Sequence, residues 1–109
     1  MGVSSTEGDD IGMTKIVPPK IDLKEVGRRL DALREASGLE KGVFADISGI
    51  DRSSYSKIIQ GEKPLKAEMA YSLSMRWDVP MDFFYRGSLD RIPSTLSAKI
   101  IASLTGRSE

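Results

Sequence analysis

Apolar residues recur at helical spacing along most of the chain, and residues that start or stop helices separate the apolar stretches. Val26, Leu30 and Leu33 form a stripe at i, i+4 and i+7. Asp22 can cap this helix, and Gly38 ends it. Similar reasoning predicts helices at about residues 41–48, 52–60 and 66–76, a short helix beginning near Pro80, and a last helix at 94–105. We therefore predict an all-α fold, a compact five-helix bundle followed by a C-terminal amphipathic helix.

Residues 39–61 combine two of these helices with a tight turn at residues 48–51. Gly49 permits a left-handed turn at little cost, Ile50 fills the corner, and Asp51 can cap the second helix. Apolar residues supply the inner faces: Phe44, Ala45 and Ile47 in the first helix, and Tyr55, Ile58 and Ile59 in the second. This is the layout of a helix-turn-helix.

The outer face of the second of these helices is small, polar or basic. It carries four side chains able to donate to base edges or phosphates: Arg52, Ser53, Ser56 and Lys57. The small serines let the backbone come close to the bases in a major groove. The alternative is the ordinary polar side of an amphipathic helix. The tight turn before this face and the basic loop after it favour DNA contact.

The overall charge is balanced, with 16 acidic and 16 basic residues. Nonspecific nucleic-acid binders are usually basic, because phosphate neutralisation supplies most of their affinity. Residues 52–66, however, carry four basic residues against Glu62 alone. A locally basic surface on a neutral protein favours site-specific binding.

The first helix has a charged face of its own. Arg28, Arg29 and Arg34 share it with Asp31 and Glu35. We expect a solvated face with helical ion pairs, and the alternative is that one or two of these arginines contact the DNA backbone.

Several classes of function lack the residues they need. The chain has no Cys and no His, which removes disulfides, Cys/His zinc sites, thiol nucleophiles and the usual imidazole base. We expect no catalysis, no cofactor and no metal site.

No apolar run approaches the roughly 18 residues that cross a bilayer, and the first ten residues carry acids where a signal peptide needs bases. We expect a cytoplasmic protein that does not enter membranes.

The chain divides into three predicted parts. Residues 1–20 have no apolar periodicity and end near two prolines, so we expect a flexible arm that either reaches DNA or a partner or is a disordered tail. Residues 21–87 are the predicted DNA-binding domain, and residues 88–109 are a C-terminal extension. The apolar stripe of the last helix either folds back onto the domain or pairs with another chain: Leu96, Ile100, Ile101 and Leu104.

Residues 26–87 resemble the Xre/Cro-type helix-turn-helix family of phage and bacterial DNA-binding proteins, whose fold is lambda-repressor-like. The matching landmarks are Leu33-Arg34-Glu35, Gly38-Leu39, Ala45, Gly49-Ile50, Ser53, Ser56, Ile58, Gly61 and Pro64. The resemblance implies a homodimer on two-fold-symmetric double-stranded DNA. It implies base contacts from Arg52, Ser53 and Lys57, and backbone contacts from Lys41, Gln60 and Lys63. Many members also pair an arginine matching Arg34 with an acid at the position of Ile59, which cannot happen here.

Three functions follow from these observations. The leading hypothesis is a sequence-specific transcriptional regulator. The alternative is an antitoxin that binds a toxin through the C-terminal helix or the arm and also binds its own promoter, because residues 58–70 look closer to the antitoxin branch of the family. A helix-turn-helix reused only for protein interaction predicts no salt-dependent DNA affinity.

Overall fold

The computed structural model describes residues 19–106, so the predicted arm lies outside the described residues except for Pro19 and Lys20. The described residues form helices and no strand: α1 (Leu23–Ser37), α2 (Lys41–Ser48), α3 (Arg52–Ile59), α4 (Ala67–Trp77), α5 (Met81–Arg86) and α6 (Ser94–Thr105). The predicted all-α fold is confirmed. Within residues 19–106, no helix combines the length and apolarity that a membrane span requires.

Helix α1 is the centre of the bundle, and it packs against α6, α3 and α5. The predicted cap is present, since Asp22 Oδ1 accepts hydrogen bonds from the backbone N–H groups of Lys24 and Glu25 at 3.0 and 3.2 Å. Gly38 ends the helix in the left-handed conformation at φ 78°. The core around α1 draws on every helix and includes Val26, Leu30, Leu33, Phe44, Tyr55, Ile58, Leu73, Phe83, Phe84 and Ile100.

Helix α1 crosses α3 at Gly27, where the two helices approach very closely. A Cβ atom at this position would lie 2.5 Å from the carbonyl oxygen of Ile58 and 2.7 Å from that of Ile59. The absence of a side chain therefore sets the distance between α1 and the last turn of α3.

Helix α6 folds back onto α1. Ile100 is fully buried, and Leu96 and Leu104 pack against the core. Two polar contacts fix the end of the helix: Arg28 Nη2 donates to the carbonyl oxygen of Leu104 at 2.7 Å, and Ser103 hydrogen-bonds Glu35. Of the apolar stripe predicted from the sequence, Ile101 stays exposed.

The turn between α2 and α3 has the predicted geometry, with one correction. Gly49 has φ 76°, and Ile50 is buried in the corner. Ile47, predicted to lie on the inner face, is 40% exposed, whereas Ser48 is buried. Ser48 faces α4, where its hydroxyl accepts a hydrogen bond from Trp77 Nε1 at 2.9 Å. A polar residue can occupy this inner position because its hydroxyl has a partner there.

Candidate nucleic-acid interface

The inner face of α3 fixes how the helix is rotated on the bundle. Tyr55 and Ile58 are buried, and the Tyr55 ring lies 5.7 Å from that of Phe44. The Tyr55 hydroxyl donates to Asp31 Oδ1 on α1 at 2.8 Å. Burial, and the adjacent Asp31 carboxylate, raise the pKa of Tyr55, so the phenol stays protonated and keeps donating. The outer face of α3 is thereby held in one orientation.

That outer face carries all four residues predicted to contact bases. Arg52, Ser53, Ser56 and Lys57 are exposed, and they lie on the side of α3 opposite Tyr55 and Ile58. Helical spacing places Gln60 on the same side, one turn after Ser56. The structure therefore gathers the four predicted base-contacting residues, together with one predicted backbone contact, Gln60, on one solvent-facing surface. This surface is here called the α3 face: Arg52, Ser53, Ser56, Lys57 and Gln60.

Asp51 caps α3 and also holds a member of the α3 face. Its Oδ2 accepts from the Ser53 hydroxyl at 2.6 Å and from the Ser54 backbone N–H at 3.1 Å. These hydrogen bonds lower the pKa of the Asp51 carboxyl. Because the Ser53 hydroxyl hydrogen is directed at Asp51, the lone pairs of its oxygen remain available to accept from an approaching donor.

Arg52 is held against α2. Its Nε donates to Asp46 Oδ1 at 3.1 Å, and its Nη2 donates to Asp46 Oδ2 at 2.6 Å. The Arg52 hydrogen bond lowers the pKa of the Asp46 carboxyl, so the pair stays charged. Both side chains are more than half exposed to solvent. Asp46 is a residue that the sequence reasoning missed, because it lies on the helix before the turn.

The predicted backbone-contacting residues are less uniform. Lys41 is the exposed first residue of α2. Gln60 Nε2 donates to Ser56 Oγ at 3.4 Å, within the α3 face. Lys63 is half-buried, and its Nζ donates to Ser54 Oγ at 3.0 Å. Lys41 and Gln60 line one open groove of about 270 Å³ together with residues of α1 and α6. Lys63 lies elsewhere, because it hydrogen-bonds Ser54 near the beginning of α3.

The three arginines of α1 contact the protein rather than forming a free cationic face. Arg28 pairs with Glu25 at 2.9 Å in addition to its bond to α6. Arg29 Nη1 donates to the carbonyl oxygen of Phe84 on α5 at 3.1 Å. The expected helical ion pairs are present for Arg28 and Arg34. In addition, Arg28 and Arg29 connect α1 to α6 and α5.

Arg34 pairs with Asp31, one turn earlier on the same helix, since position 59 holds an isoleucine and no acid. Its Nε and Nη2 donate to the two oxygens of Asp31 at 3.0 and 3.2 Å, and its Nη1 donates to the carbonyl oxygen of Leu39. Burial opposes ionisation of Asp31, but the hydrogen bonds from Arg34 and Tyr55 outweigh it and lower the pKa of this carboxyl. Asp31 therefore joins α1 to α3.

No group of three or more acidic side chains within residues 19–106 is arranged to hold a metal ion. The described residues thus present a turn flanked by two short helices, with one exposed polar and basic face. This arrangement is a helix-turn-helix motif. The model of a helix-turn-helix domain family matches residues 25–73, from α1 to the middle of α4. Neither a curated protein nor a solved structure matches the chain.

Proposed function

We propose that this protein is a sequence-specific DNA-binding transcriptional regulator that inserts α3 into the major groove. The observation that carries the proposal is the α3 face, on which four predicted base-contacting residues lie exposed on one side of a helix whose other side is buried. An α-helix fits the major groove, where each base pair presents a distinct pattern of donors and acceptors. The match of residues 25–73 to a helix-turn-helix domain family supports the same function.

The groups expected to contact phosphate flank this helix. Lys41 stands at the exposed beginning of α2, and Lys63 follows α3. Contacts to the backbone fix the register of a protein on the duplex, while contacts to base edges select the sequence. We propose Lys41, Gln60 and Lys63 as backbone contacts, and Arg52, Ser53, Ser56 and Lys57 as base contacts.

The resemblance to Xre/Cro-type proteins supports a dimer on a two-fold-symmetric operator. Selection of bound sites from random double-stranded DNA tests DNA binding and symmetry together. We expect an inverted repeat whose half-sites are centred about 34 Å apart, which is one turn of DNA. A selection that enriches no sequence would contradict the proposal.

Two substitutions on the α3 face test the contacts directly. Arg52→Ala and Lys57→Ala should each weaken binding to the selected site, by about 1 to 3 kcal/mol where a bidentate base contact is lost. Arg86→Ala on α5 is the matched control, because Arg86 is an exposed arginine on another helix. Equal affinities for all four proteins would show that DNA does not bind the α3 face.

The competing functions give different results in the same measurements. An interaction module built on this fold would show no salt-dependent affinity for DNA, whereas a regulator loses affinity steeply as salt rises. The antitoxin alternative needs a surface for a toxin, and the apolar stripe of α6 is largely buried against α1. The structure therefore favours the regulator over an antitoxin that uses this helix.

A further inference from the structure

The guanidinium of Arg52 rests on α2 in a site formed by two residues of that helix. Asp46 binds one edge of the guanidinium through Nε and Nη2. The other contact is with Gly42, one turn earlier on α2. A Cβ atom at Gly42 would lie 2.7 Å from Nη1, 2.8 Å from Cζ and 3.1 Å from Nε of Arg52. The plane of the guanidinium therefore occupies the space that a side chain at position 42 would fill.

This contact gives a reason for a glycine at a costly position. Glycine in the first turn of a short helix weakens the helix relative to alanine. Here any larger residue would displace Arg52. We name the pair Gly42 and Asp46 the Arg52 cradle.

The cradle leaves part of the guanidinium free. Arginine has five N–H donors, and Asp46 takes one from Nε and one from Nη2. Both N–H groups of Nη1 and the second of Nη2 have no hydrogen-bond partner among residues 19–106. One N–H from each of these nitrogens suits the O6 and N7 acceptors of guanine.

We propose that Gly42 and Asp46 are positioning residues that hold Arg52 in the orientation in which its free edge reads a guanine. This inference rests on the proposed function and adds a specificity-determining role for residues outside the α3 face. An unrestrained arginine must lose rotamer freedom when it binds, and a side chain already held in place loses less. Asp46 also neutralises part of the charge of Arg52, so the contact favours a base edge over a phosphate.

Two variants remove the cradle by different routes, and Arg52→Ala removes the group that it holds. Gly42→Ala displaces the guanidinium sterically, and Asp46→Asn removes the carboxylate. We expect Arg52→Ala to weaken binding to the selected operator by about 10-fold or more and to erase a guanine preference at one position. Gly42→Ala and Asp46→Asn should each weaken binding by about 3- to 10-fold and reduce the guanine preference at the same operator position.

The Arg52→Ala background separates positioning from a general effect on the fold. In that background, Gly42→Ala and Asp46→Asn should have no further effect on affinity, because there is no guanidinium left to hold. Gly42→Ala should also raise thermal stability while it lowers affinity, since alanine is the better helix former. Asp82→Asn on α5 is the control for Asp46→Asn, because Asp82 is an exposed acid that also pairs with an arginine.

The outcomes distinguish this inference from the proposed function. If the unaltered protein binds no DNA, both fail. If it binds an operator through Arg52 but the two cradle variants bind as the unaltered protein does, only the cradle is refuted. Tighter binding by Asp46→Asn would overturn it as well, because Asp46 would then compete with DNA for Arg52. If Arg52→Ala lost the same amount of affinity for every DNA sequence, Arg52 would contact phosphate instead of guanine, and the cradle would be refuted.

Nuclear magnetic resonance relaxation of the Arg52 Nε–H group, measured without DNA, tests the cradle directly. It should show a rigid side chain in the unaltered protein and a mobile one in Asp46→Asn.

Discussion

Replacing Gly27 with alanine should destabilise the fold even though it improves a helix. The new Cβ would meet the carbonyl oxygens of Ile58 and Ile59 at 2.5 and 2.7 Å, whereas ordinary contacts begin at 3.4 Å. The last turn of α3 would have to move away from α1 by about 1 Å, and overpacking of this kind costs roughly 1–3 kcal/mol. The better helix propensity of alanine offsets this by up to about 1 kcal/mol.

The net effect should be a loss of about 1–2 kcal/mol, or a Tm lower by about 5–15 °C for a domain of this size. Thermal and urea unfolding followed by circular dichroism measure it. Gly42→Ala is the matched control, because its Cβ meets only side-chain atoms of Arg52, which can be displaced without moving any backbone. We expect that variant to unfold at a higher temperature than the unaltered protein. If Gly27→Ala were as stable as Gly42→Ala, the close helix crossing could not be what sets the position of α3.

Two further predictions concern the core and its titration. Ile100→Ala should cost about 2–5 kcal/mol in urea unfolding because Ile100 is fully buried between α6 and α1, whereas Ile101→Ala on the exposed side should cost about 1 kcal/mol or less; similar losses would argue against the observed rotation of α6. Asp31→Asn tests the junction with Arg34 and Tyr55 through its pH dependence. The pKa of Asp31 in the folded protein lies below the usual 3.8, so its stabilising effect is present above that pH and is lost as the pH falls through the folded-state pKa. The unaltered protein should therefore exceed Asp31→Asn in stability at neutral pH, and the difference should shrink below about pH 4; a constant difference would contradict this assignment.

The helices were predictable because their signals are local. Apolar spacing and capping residues place α2 and α6 at the bounds that the structure shows. Ile47 was assigned wrongly because apolar character alone does not tell which side of a short helix faces the core. Its neighbour Ser48 is buried because Trp77, 29 residues later, supplies a donor. A partner so distant in sequence leaves no periodic signal.

The sequence predicted which residues form the candidate interface, but it did not predict the contacts between them. Helical spacing places Arg52 and Lys57 on one exposed face, as the structure does. It does not reveal that Arg52 rests on Gly42 and Asp46, because that contact depends on how two helices are oriented across a turn. The role of Asp31 is hidden for the same reason, since its partner Tyr55 lies on another helix. Which of these side chains meet DNA stays a prediction.

The packing of α6 on α1 has a consequence for how the chain is made. Within the described residues, the most extensive contact joins α1 to α6, so it can form only after α6 has been synthesised. Until Ile100 has left the ribosome, the side of α1 that packs against α6 remains exposed to solvent. Contacts between distant parts of a chain slow folding, and nascent chains with uncovered apolar surface are prone to aggregate. Folding of the bundle during synthesis should therefore not be complete before α6 has emerged and packed on α1.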